Sequence, residues 1–192
     1  MNDARERILG ATLRLVVEHG VAAVTNRLVA AEAGVSLGTL TYHFAAQGDL
    51  LHAALTRFVD VEIERISALA LSFAGAALTP REAAEEVERA IVALAGTREQ
   101  IAALELHLQA ARDPALQDAA ARSVAAYDAL AAAILDALGV PDPTTHAPVV
   151  VSLLYGLAIR RLSTGDPSAK GTATALTTLL TGITSPLNPL TP

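Results

Sequence analysis

The chain has 192 residues, enough for one domain with a large core or for a small head joined to a larger body. Its apolar fraction is 52% but its aromatic fraction only 3%, so the core must be built from Ala, Leu, Val and Ile, and the expected class is all-α. The absence of Cys excludes disulfides and thiolate chemistry and fits a reducing cytoplasm, while a formal charge of −6 argues, taken whole, against a nucleic-acid partner.

Apolar spacing predicts about nine helices. The first covers residues 3–19, with Ile8, Leu9, Thr12, Leu13, Leu15 and Val16 at helical spacing and Gly20 as its stop. Arg5, Arg7, Arg14 and Glu18 interrupt its apolar pattern at amphipathic positions, so it does not read as a secretory signal. The stretch from Thr25 to Phe44 reads as two short helices around a tight turn. Thr25 caps the first, whose apolar side is Leu28, Val29 and Ala31. Gly34 supplies the left-handed residue that ends it. Ser36 caps the second helix, which carries Leu37, Leu40 and Phe44. This pattern fits a helix-turn-helix, whose second helix enters the DNA major groove, and it equally fits an ordinary αα-hairpin.

Residue by residue, the stretch resembles the DNA-binding domain of the tetracycline-repressor (TetR) family. Gly34-Val35-Ser36, Gly38-Thr39-Leu40 and Tyr42-His43-Phe44 fall where that family has its GVS-x-GTLY-x-HF pattern. Ile8-Leu9, Ala11, Gly20, Thr25, Arg27 and Ala30 upstream, and Asp49-Leu50-Leu51 downstream, extend the likeness. The resemblance implies that Thr25 and Arg27 lie at the DNA face, with Arg27 reaching a base edge or a phosphate. It implies that Ser36, Leu37, Gly38 and Thr39 form the reading turn, Leu37 touching a thymine methyl and Thr39 a base or phosphate. Gly38 keeps side-chain bulk away from the groove. Tyr42 and His43 match phosphate contacts, with half-buried packing as the plain reading of Tyr42. The chain departs from the family at three places. Thr41 stands where Tyr is frequent, Gln47 where a Lys commonly meets phosphate, and Gly48 where an acidic residue is common.

A long fourth helix runs from Gln47 towards Ser72, with Leu51, Leu55, Phe58, Ile66 and Leu69 as its stripe. Thr79, Pro80 and Glu82 form a capping box that opens a fifth, and Thr97 with Gln100 forms another that opens a sixth, through Ile101, Leu104 and Leu108. The seventh opens at Asp113-Pro114 and carries Leu116, Ala120, Tyr127, Leu130, Ile134 and Leu138. The eighth starts between Thr144 and Pro148 and is apolar nearly all round, which predicts burial on every side and hence a second copy of the chain against it. Gly156 at its middle fits a close backbone approach. A ninth follows, with Leu176 and Leu180 in register, and the expected homodimer forms through helices eight and nine.

Residues 1–58 hold five basic and five acidic side chains, whereas the rest holds nine basic and fifteen acidic, so the entire negative charge lies outside the head. The body offers His107, Gln109, Arg112, Tyr127 and Tyr155 among apolar neighbours, candidates to orient a largely apolar effector, with satisfied core or rim residues as the plain alternative. The five His are scattered without metal-ligand spacing, and no glycine-rich phosphate loop follows a strand. No catalytic residue, metal or cofactor is therefore expected, and no segment has the dense apolar run a bilayer requires.

These readings converge on a cytoplasmic DNA-binding transcriptional regulator, most simply a repressor. It would have a helix-turn-helix head over residues 1–46 and an effector-binding and dimerisation body over residues 47–192. Its partners would be a double-stranded operator, a small molecule and a second copy. The alternatives are a helical small-molecule-binding protein or enzyme with an incidental hairpin, and a protein-interaction module.

Overall fold

The computed structural model describes residues 2–73, 75, 79, 81, 82, 85, 98–165 and 170–184. Among these, every regular element is helical, as composition predicts. They are α1 (Asn2–His19), α2 (Asn26–Ala33), α3 (Leu37–His43), α4 (Gln47–Ser72), α5 (Arg98–Ala110), α6 (Gln117–Ala137), α7 (Pro143–Thr164) and α8 (Lys170–Thr184). Single 3-10 turns lie at Val21–Ala23 and Pro114–Leu116. The sixth to ninth helices expected from sequence are thus α5 to α8. Most of the expected fifth lies outside the described residues, as does the Thr97 cap. Its opening is described: the Glu82 amide donates to Thr79 Oγ1 at 3.2 Å, and the Thr79 amide donates to the Glu82 carboxylate at 2.8 Å. That reciprocal pair is the capping box expected from the sequence. The bonds from Thr79 hold the Glu82 pKa below the ordinary carboxylate value.

By packing, the chain divides into two compact units, Met1–Glu64 with Thr97–Val124, and Arg65–Gly96 with Ala125–Pro192. In the first, Ile8, Leu9, Val16, Val29, Leu40, Phe44 and Leu50 form a cluster that holds α1, α2, α3 and the start of α4 together. Leu55, Phe58 and Val59 of α4 form a second cluster with Ala102, Ala103 and Leu106 of α5 and with Leu116, Ala119 and Ala120. Leu13 and Val17 of α1 pack against this second cluster, so α5 is seated on both α1 and α4. Arg122 adds a polar tie, its Nη1 donating to Asp60 at 2.9 Å, which fastens α6 to α4. In the second unit, Ala131, Leu135, Val140, Ala147, Val150, Val151 and Leu176 bring α6, α7 and α8 onto one core.

Two expectations are corrected. In α2 the buried residues are Val29, Ala30 and Ala33, whereas Leu28 is 39% exposed and Ala31 faces out. A helix this short offers too few turns for the apolar pattern to fix its phase. Leu108, placed on the apolar stripe of the sixth helix, is exposed in α5, since burial there follows Ala102, Ala103, Leu106 and Ala110. In α7, where the sequence leads us to expect a second copy of the chain, Val149, Ser152, Gly156 and Ile159 share one exposed face, Val149 at 55% and Ile159 at 50%.

Candidate DNA interface and effector residues

The turn between α2 and α3 is built by its caps. Thr25 Oγ1 accepts the Leu28 amide at 3.3 Å, and Ser36 Oγ accepts the Thr39 amide at 3.0 Å. Each such cap stabilises its helix by about 1 kcal/mol. Gly34 lies at φ 63° and ψ 40°, and behind it the Gly34 and Val35 amides donate to Ala31 and Ala30. This is the paired Schellman closure, which turns the chain sharply enough to set α3 across α2. Within α3 only Leu40 is buried, and Phe44 anchors the helix at its end. Every other side chain of α3 is at least partly exposed.

That leaves the expected DNA residues on or beside one surface. Ser36, Leu37, Gly38 and Tyr42 are exposed, and Thr39 and His43 are half-buried. Tyr42 is 75% exposed, so the half-buried packing reading does not apply; its ring meets the His43 ring edge-on, centroids 5.3 Å apart. A Cβ at Gly38 would find only Ser36 Oγ at 3.7 Å, an ordinary contact. The fold therefore leaves room for a side chain at residue 38, and its bareness suits the outside of the helix.

The arginines of residues 1–58 divide sharply. Arg7 pairs with Asp3 at 3.4 Å, Arg14 with Glu32 at 2.8 Å and Arg57 with Glu6 at 3.3 Å. Arg5 lies 3.9 Å from Glu6 and also sits over the Phe44 ring. Arg27 makes no ion pair among the described residues and is exposed. It also lies in the first turn of α2, where the helix dipole disfavours a cation. An unpaired arginine at the wrong end of a helix, on the side of the turn that presents α3, suits an anionic partner. Gln47, expected beside phosphate, sits at the first position of α4, and its side-chain amide donates to the Val24 carbonyl. This bond pins the start of α4 to the loop before α2, a role the sequence did not signal.

The effector candidates separate into two groups. His107 and Gln109 lie near the end of α5 in the first unit, both half-buried, and Arg112 just after it is exposed. Burial lowers the His107 pKa below the ordinary histidine value, favouring the neutral ring. Tyr127 of α6 and Tyr155 of α7 come together in the second unit, their rings edge-on with centroids 5.8 Å apart. Both pack against the apolar cluster of that unit. Among the described residues, no group of three or more His, Asp or Glu is placed to hold a metal ion, and no helix is long and apolar enough to cross a membrane.

Comparison with known proteins decides what this geometry belongs to. Residues 8–54 match the family described as "Bacterial regulatory proteins, tetR family", and residues 78–182 match "Tetracyclin repressor-like, C-terminal domain". The chain belongs to the TetR family. A TetR-family structure from Streptomyces coelicolor A3 superposes with a TM-score of 0.72 at 32% identity, covering 92% of this chain and 97% of that one. The multidrug binding protein EbrR, complexed with imidazole, gives a TM-score of 0.68 at 34% identity over 96% of this chain and 97% of its own. The transcriptional repressor KstR of Mycolicibacterium smegmatis is 31% identical over 166 residues, 86% of this chain and 66% of KstR. The chain spans from 26% to 66% of the length of the curated relatives it matches, and nearly all of the solved structures. Helices α2 and α3, which carry that surface, lie within residues 8–54, the part that matches the family's regulatory model.

Proposed function

We propose that this regulator is a cytoplasmic homodimeric repressor that leaves its operator when a small, largely apolar molecule binds its body. Residues 1–46 form the DNA-binding head and residues 47–192 the effector-binding and dimerisation body. The observation that carries the DNA reading is a contrast within residues 1–58: Arg5, Arg7, Arg14 and Arg57 are tied to carboxylates and Arg27, at the start of α2, is not. The repressor sign is supported by KstR, named a transcriptional repressor. Effector binding is supported by EbrR, a multidrug binding protein seen complexed with imidazole, proflavin and ethidium. The polar side chains proposed to orient the effector are His107, Gln109, Arg112, Tyr127 and Tyr155. Dimerisation is assigned to α7 and α8, a reading supported by the apolar face of α7 that is exposed among the described residues. An effector releases DNA only if it binds the non-docking conformation more tightly than the docking one.

The direct test removes the free arginine. Arg27→Ala should weaken binding to DNA from the protein's own upstream region by roughly 1–3 kcal/mol at matched salt, with an unchanged melting temperature. Thr39→Ala, in the reading turn, serves as the second variant. If both bind like the parent protein, the assigned docking surface is wrong.

A further inference from the structure

We propose that this regulator reads each operator half-site largely through thymine methyl groups, using an apolar ridge on α3 in which Thr41 is a specificity-determining residue beside Leu37. The inference rests on the DNA-binding reading and adds what that surface recognises. Thr41 lies outside the residues assigned to DNA above, and it stands where the family often carries Tyr.

The ridge follows from helix spacing and from where the hydroxyls go. Residues four apart on a helix sit one above the other. On α3 this gives the pairs Leu37 with Thr41, Gly38 with Tyr42, and Thr39 with His43. Leu37, Gly38, Thr41 and Tyr42 are exposed; Gly38 and Tyr42 lie opposite the buried Leu40, and Leu37 and Thr41 form the flank beside them. The Thr41 hydroxyl is folded back onto its own helix, donating to the Leu37 carbonyl at 3.1 Å and the Gly38 carbonyl at 3.2 Å. With the hydroxyl so engaged, the methyl is the group left to meet a partner, and i,i+4 spacing puts residue 41 beside Leu37. The Ser36 and Thr39 hydroxyls lie 2.8 Å apart and bond to each other, and Ser36 Oγ also takes the Thr39 amide. The front of the reading helix therefore presents an isobutyl group, a methyl and a tyrosine ring, while the three aliphatic hydroxyls, those of Ser36, Thr39 and Thr41, each hold a partner inside the protein.

In the major groove, thymine is the base whose edge carries a methyl group. A Leu–Thr methyl ridge matches that group and offers no donor to guanine O6 and N7 and no acceptor to the cytosine amino group. Set against a G·C pair it would strip water from polar edges without replacing their bonds. Recognition by the Leu37–Thr41 ridge thus favours positioned thymines and rejects G·C.

Deoxyuridine tests the idea, because it removes the methyl and leaves every hydrogen-bonding atom of the base in place. The full-length protein first selects its sites from random-sequence duplexes. The selected duplex is then remade with deoxyuridine for thymine, singly and throughout. Burial of one methyl corresponds to about a fourfold preference, so one contact in each half-site gives about sixteenfold weaker binding of the uridine duplex. Thr41→Ser keeps the hydroxyl and removes the methyl, so it should lower the thymine-to-uridine ratio. Thr41→Val keeps a methyl and loses only the hydroxyl spent on the backbone, so it should preserve that ratio. Equal binding of thymine and uridine duplexes overturns the inference while the DNA-binding reading stands. An unchanged ratio in Thr41→Ser overturns the role of Thr41. A selection that enriches no sequence overturns the DNA-binding reading, and the inference with it.

Discussion

Gly156→Leu should leave the chain folded and separate the protomers. Gly156 lies on the exposed face of α7 with Val149, Ser152 and Ile159, and a Cβ there meets no atom of the described residues within 4 Å. Among the described residues a side chain at this position therefore starts from open space. The substitution also removes a mid-helix glycine, which costs about 0.5–1 kcal/mol relative to alanine. If α7 packs on α7 or α8 of a second copy, the same side chain lands between two backbones, and overpacking costs roughly 1–3 kcal/mol or more per contact. A dimer that engages two half-sites gains roughly a hundredfold to ten-thousandfold in affinity over one head. Loss of the dimer should remove that factor. Sedimentation of the variant should show monomers with a melting temperature at or above the parent's, and DNA binding should drop accordingly. A variant that stays dimeric and binds DNA normally would place the dimer contact elsewhere.

Leu40→Ala should damage the head more than any change of an exposed DNA residue. Leu40 is fully buried in the cluster with Ile8, Leu9, Val29 and Leu50, and it is the buried side chain within α3. A helix of two turns has no stability of its own, since nucleation is unfavourable and few bonds follow it. Its orientation depends on this anchor and on Phe44. Truncation of a buried leucine costs about 2–5 kcal/mol, a large share of the roughly 5–15 kcal/mol that holds a domain folded. A lower denaturant midpoint and faster amide exchange in α3 would record this loss, with DNA affinity falling below that of Arg27→Ala. Normal exchange in α3 would mean that the helix is held by contacts other than this core.

Local chemistry made the helix-turn-helix legible. Thr25, Gly34 and Ser36 are each forced into their roles by backbone groups that need partners, and the structure places all three as caps. The Thr79–Glu82 box was readable for the same reason. Long-range relations were not readable. An alanine-rich face such as that of α5 carries no label for its partner, so its seat on α1 and α4 emerged only in three dimensions. The pairing of Arg14 with Glu32 and of Arg57 with Glu6 spans distances that no sequence period encodes. Those pairs isolate Arg27, which sequence singled out by resemblance alone. Gln47 could be read only as a missing lysine, because its bond to Val24 depends on the loop before α2 folding back. The exposed face of α7 was hidden by composition: an all-round apolar pattern says that partners exist, but not which side is exposed among the described residues.

The measurement closest to the central claim is the affinity of the full-length protein for DNA from its own upstream region and for a shuffled duplex of equal length, titrated over several salt concentrations. The account predicts that the upstream duplex binds roughly a thousandfold or more tightly than the shuffled one. It also predicts a symmetric footprint, with half-sites one helical turn or a multiple apart, and weakening of both affinities with salt as phosphate contacts are screened. Equal affinity for the two duplexes at every salt concentration would contradict the assignment of α2 and α3 as a sequence-reading surface.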